Sequence, residues 1–148
     1  MYMQYGQKLS SYMRAPIVML IIGLGILLVL AVLAMKCKFF KEIRVYLVLG
    51  ILALIVGYFM GVYPYHRDIS TNAYQTYTGE FYVEEYYFST NSGVHLLIKF
   101  PDSEKSIRYR APGDIESIKN NTTYDGILVY GKHSKGIVEI KAEPKKTP

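Results

Sequence analysis

The chain has 148 residues, with 17 Lys and Arg against 12 Asp and Glu, three His, one Cys and no Trp. Its net charge of +5 lies within residues 1–44, where Lys8, Arg14, Lys36, Lys38, Lys41 and Arg44 face the single acid Glu42, while the rest of the chain balances eleven charges of each sign. That distribution argues against a globally basic nucleic-acid binder, whose charge sits on the domain that meets phosphate, and the lone Cys excludes a disulfide framework.

Residues 1–15 read as an N-terminal tail. Residues 16–35 form a run of 20 without a charge, and 45–63 form a second run of 19. At about 1.5 Å per residue each reaches roughly 30 Å, the thickness of a hydrocarbon core. Neither run has a polar face, and the remaining chain is too short to bury two such helices on all sides. The expectation is two transmembrane helices in a multi-pass cell-membrane protein, paired antiparallel by the short link 36–44. Lys36, Lys38, Lys41 and Arg44 make that link the densest basic segment, a topology signal that favours its cytoplasmic placement. Both termini then lie outside, and the link meets anionic membrane lipid. Cys37, within the link, follows Met35 and Lys36 rather than the small residues of a lipoprotein signal, and reads as a reduced thiol.

In the second run, Gly50, Ala53, Gly57 and Gly61 fall at helical spacing. Small residues let helix backbones approach in lipid, so this face is expected to pack on the first helix or on a second copy of the chain. Gly23 and Gly25 offer matching space on helix one. No charged or amide side chain lies inside either run, which argues against a transporter or proton relay.

Residues 64–73 read as a polar linker. From 74 the pattern changes to a period of two, in Tyr, Phe, Thr and Val, the residues that fit a pleated surface. Phe81 and Val83 share a face, the phase slips at Glu84-Glu85, and Tyr86 and Phe88 resume it; a bulge there would keep all four on the core side. Gly79 permits a bend. Val94, Leu96, Ile98 and Phe100 then alternate with His95, Leu97 and Lys99, and Ile107 and Tyr109 with Arg108 and Arg110. Asp114 can cap a short helix with Ile115 and Ile118 on one face. Two more strands follow, 124–130 and 137–141, and then a flexible tail, 142–148. Three strands, a helix and two strands over 74–141 resemble the OB-fold, a small five-stranded barrel; an SH3-like barrel is the alternative.

Tyr82, His95, Lys99, Arg108 and Arg110 form the candidate ligand face, where aromatic and basic groups suit an anionic or stacking ligand. The same residues also suit an ordinary solvated strand face. His66, His95 and His133 lack metal-ligand spacing, no Gly-rich phosphate loop occurs, and Glu84-Glu85 is not a paired-carboxylate motif. No metal, cofactor or enzymatic activity is therefore expected. The abundance of Ile, Lys, Tyr and Asn suits an AT-rich bacterial source. The reading is a membrane protein presenting an extracytoplasmic β-domain that binds an envelope protein, as an accessory or immunity/exclusion factor. A tethered glycan- or nucleic-acid-binding module and a structural subunit of a larger complex are the alternatives.

Overall fold

The computed structural model describes residues 2–36, 40–89, 93–111, 113, 115 and 118–145. Helix α1 (Tyr2–Lys36) is followed by α2 (Phe40–Gly61), the short α3 (Tyr63–Ser70), and strands β1 (Tyr74–Ser89), β2 (Gly93–Lys99), β3 (Ile107–Ala111), β4 (Thr122–Gly131) and β5 (Ile137–Pro144). The two long helices are apolar and long enough to cross a membrane over Gln4–Met35 and Ile43–Gly61. Their outward side chains, such as Ile21, Leu28, Leu52 and Val56, are exposed.

The helices pack as an antiparallel pair in which leucines of one sit over glycines of the other. A methyl group built on Gly23 would stand 2.7 Å from Leu54 Cδ2, one on Gly57 3.4 Å from Leu20 Cδ2, and one on Gly61 3.2 Å from Pro16 Cβ. On Gly50 it would overlap Leu27, whereas Gly25 has open space around it. Ala53 does not share this seam. It is exposed, and Leu54, half-buried, takes the place expected for it. The reason is periodicity: contact positions 50, 54, 57 and 61 alternate steps of four and three, the spacing of a left-handed helix pair. Gly50→Val is accordingly expected to destabilise the full chain in detergent by about 1–3 kcal/mol through overpacking. Gly25→Val should leave the thermal midpoint unchanged. Equal midpoints for the two variants would remove the seam as a stabilising contact.

Of the basic link, Lys36 ends α1, Lys41 and Arg44 lie in the first turns of α2, and Lys38 is outside the described residues, as is Cys37. The second helix thus begins five residues earlier than the charge-free run.

Two segments expected to be irregular are helical. The tail 1–15 is, from Tyr2 onward, the continuous start of α1. The linker 64–73 is largely α3, with Pro64 in its first turn, where a missing N–H is harmless. In both cases tertiary burial of one helix face outweighs a polar composition.

The strands form one antiparallel sheet in the order β3-β2-β1-β4-β5. The expected barrel does not close: a single parallel bridge, Arg110 to Gly136, links the two edges. β1 passes from Val83 opposite Ile98 to Glu85 opposite Leu97, so Glu84 occupies a bulge. Gly79, at φ +133°, supplies the bend earlier in the same strand. Phe81, Val83, Leu96, Ile98, Tyr109 and Leu128 are buried in the core, with Tyr86 packed against it. Phe88 departs from expectation. It is 70% exposed although its cross-strand partner Val94 is buried, because β1 pairs with β4 only as far as Val83 and Phe88 has no strand on that side. The expected helix at 114–119 falls partly on residues outside the described ones; Ile115 and Ile118 are both buried in the core. β5 continues to Pro144, three residues into the expected tail.

A second buried cluster joins the sheet to the helices. Tyr5, Leu9 and Tyr12 of α1 and Tyr65 of α3 cover Val129 and Val138. These valines point away from the main core, so β4 and β5 are covered on both faces. Tyr5 Oη donates to Glu139 Oε2 at 2.6 Å, and Tyr12 Oη to the Ile137 carbonyl at 2.8 Å. Leu9 and Tyr12 approach the backbone of Gly136, where a methyl group would stand 2.7 Å from Leu9 Cδ2 and 3.2 Å from Tyr12 Cδ2. Asp68, with no exposed surface, accepts from the His133 N–H at 3.0 Å and the Ser134 N–H at 2.8 Å. The sheet is therefore seated on the helices.

Candidate functional site

Three of the five residues of the expected ligand face come together. Strand pairing places His95 opposite Arg110, and Leu97 opposite Arg108. With outward side chains at alternate positions, His95, Arg108 and Arg110 share one face of β2 and β3. Tyr87, opposite His95 on β1, adds an aromatic ring. The Tyr87 and His95 rings stack, 5.4 Å apart and 19° from parallel, and the Arg108 guanidinium lies 5.7 Å from the Tyr87 centroid. Arg110 stands 5.2 Å from the Tyr12 ring and donates to the Tyr12 carbonyl at 3.0 Å.

Tyr82 and Lys99, paired with each other, lie elsewhere. They border a separate cavity of about 240 Å³ with Phe81, Phe100 and Pro101. Tyr82 Oη donates to Asn121 Oδ1 at 3.1 Å. Their distance from the other three follows from register: position 99 closes β2, four residues along the strand from position 95.

The face formed by His95, Arg108 and Arg110 looks onto the helices. With Ser134 and Tyr65 it lines one side of a cleft of about 630 Å³ whose other side is Ala15, Pro16, Met19, Met60 and Gly61. Met19 is 71% exposed and Met60 77% exposed. The cleft thus joins a basic wall on the sheet to an apolar floor on the helix ends. Sequence reasoning missed the floor. A methionine in the first turn of one apolar run and the last turn of the other was the available signal, but nothing in the sequence brings them under a strand 35 residues downstream.

Among the described residues the ion pairs are Lys141 with Glu139 and Lys145 with Glu80, so neither Arg108 nor Arg110 is paired with a carboxylate. Burial, then the charges of Arg110 and Arg108, hold the His95 pKa below its ordinary 6.5. The folded state therefore binds a proton on His95 less readily than the unfolded chain, and stability falls as pH drops through the ordinary histidine range. Between about pH 7.5 and about pH 5 the wild type should lose more thermal stability than His95→Gln, with parallel curves as the contrary result. On β5, Glu139 is held below the usual carboxylate range, first by the hydrogen bond from Lys141 and then by that from Tyr5.

No family model and no curated protein matches the chain. Among the described residues no three His, Cys, Asp or Glu are grouped to hold a metal ion. The arrangement at the cleft offers positive charge, hydrogen-bond donors and an aromatic stack.

Proposed function

We propose that the chain is an integral membrane protein whose two apolar helices cross the bilayer as a hairpin and hold a small OB-like domain against the extracytoplasmic surface. There the domain binds an envelope protein, without catalysing a reaction. The observation that carries this reading is the seating of the sheet on α1 and α3 through Tyr5, Leu9, Tyr12 and Asp68. A binding surface fixed to its anchor meets a membrane-bound partner in one orientation, which lowers the ordering cost of association. The strand order β3-β2-β1-β4-β5 and the bridge between β3 and β5 favour the OB-like description, since that fold is a partly open barrel. Phe88, a large aromatic left exposed on β1, is the candidate anchor for the partner. The basic density at Lys36, Lys38, Lys41 and Arg44 supports the orientation.

Gly50, Gly57 and Gly61 are turned toward α1. They support the hairpin itself more than a contact between copies or a larger complex. A photo-crosslinking amino acid at position 88 tests the reading in intact cells. A discrete adduct, lost when Thr78 carries the probe instead, is the expected result. No adduct from position 88, or cleavage of the β-domain by external protease only after lysis, overturns it.

A further inference from the structure

We propose that the cleft between the sheet and the helix ends is a site for one anionic phospholipid, with the headgroup phosphate held by Arg108, Arg110 and His95 and an acyl chain descending over Met19 and Met60. This rests on the reading that the hairpin spans the bilayer. Three observations combine. The first is depth: Pro16 and Met19 belong to the start of the first apolar run, with Ala15 just before it, and Met60 and Gly61 to the end of the second. If these runs fill the hydrocarbon layer, the side chains just above them are level with lipid phosphates, since the headgroup layer adds only about 5–7 Å on each side. The second is charge. Two guanidiniums and an imidazole face the cleft, with neither guanidinium paired to a carboxylate among the described residues. Arg110 spends one N–H on the Tyr12 carbonyl and keeps others for a ligand. Guanidinium forks match phosphate oxygens two at a time.

The third is the floor. Met19 and Met60 are unbranched, polarisable and exposed, which suits a mobile hydrocarbon chain. A free phosphate or an acidic peptide would use the basic wall and leave this floor unused, so an intact lipid fits the whole cleft best. Ser134 adds a hydroxyl at the rim. A bound phosphate also relieves the repulsion that the two arginines exert on protonated His95, so lipid binding should raise the pKa of that imidazole.

The test uses the full chain in nanodiscs containing equal amounts of phosphatidylglycerol and phosphatidylcholine, with retained lipid read by native mass spectrometry after release into detergent. One phosphatidylglycerol per chain is expected in preference to phosphatidylcholine. Arg108→Gln should lower that preference about fivefold, the effect of about one basic residue at an anionic surface. Arg108 is exposed, and the contacts that seat the sheet on α1 run through Tyr5, Leu9, Tyr12 and Arg110, so this variant tests the site without unseating the sheet. Lys141→Gln, away from the cleft, should change nothing. Glycerol phosphate added at millimolar level should not displace the lipid; displacement would assign the site to soluble phosphate and overturn the proposal. Equal retention of both lipids, or an unchanged preference in Arg108→Gln, would also overturn it. Failure of the chain to remain in carbonate-washed membranes would instead refute the hairpin reading itself, so the two failures are distinguishable.

Discussion

Asp68→Ala is expected to lower the stability of the β-domain by about 3 kcal/mol or more, a larger loss than any single surface change would give. The carboxylate sits on α3 with no exposed surface and takes the N–H groups of His133 and Ser134 in the β4–β5 loop. Removing it leaves two part-buried donors unmet, each costing about 1–3 kcal/mol when water cannot replace the carboxylate. The same carboxylate lies against Gly131, so any side chain there would press on it. The backbone adds one further tie between these segments, from the Lys132 N–H to the Ala73 carbonyl at 2.9 Å. Asp68→Asn keeps one acceptor and should fall between wild type and alanine. Thermal unfolding of the full chain, followed by tyrosine near-ultraviolet circular dichroism, reads the difference. An alanine variant that melts with the wild type would show that the loop is held by its neighbours and not by this carboxylate.

Leu9→Ala should cost about 2–5 kcal/mol, the range for emptying a buried leucine site. Leu9 is fully buried although it lies in a segment whose composition is polar. It packs in a cluster with Tyr12, Tyr65, Val129 and Val138 and against the backbone of Gly136, which has no side chain to fill the space. Leu9→Lys should go further and detach the start of α1, freeing it to limited proteolysis while α2 remains protected. A fragment beginning at residue 66 lacks Leu9, Tyr12 and Tyr65 and exposes Val129 and Val138. Such a fragment should unfold without a sharp transition, and a peptide of residues 2–15 added in excess should restore part of its cooperativity. A fragment as stable as the full chain would make the α1 contact dispensable.

The strand alternation was legible in the sequence because each strand buries one face on the main core. Val94, Leu96 and Ile98 alternate with more exposed neighbours as written, and the phase slip at Glu84 marks a bulge. The N-terminal helix was not read, although Tyr5, Leu9, Tyr12 and Met13 stand at the helical spacing of four, seven and eight. Its stripe is narrow and interrupted by Gln, Lys and Ser, so its partner, not its composition, makes it helical. Asp68 gave no signal at all, since a buried carboxylate in a short helix resembles any polar linker residue. The cleft was legible only on its basic side. Alternation put His95, Arg108 and Arg110 on one face, but the curl of the sheet decided what that face looks at. Phe88 shows the limit of alternation: it predicts a side, and burial also needs something on that side.

The contact between Tyr5 and Glu139 joins positions 134 residues apart. In a chain made from one end to the other, the first helical turns are therefore completed by the last strand. Until β5 has left the ribosome, Leu9 and Tyr12 lack Val138 and the Ile137 carbonyl, and a chain stopped before residue 137 leaves them only partly covered. The seat of the sheet on its own anchor is thus completed only once β5 has been made.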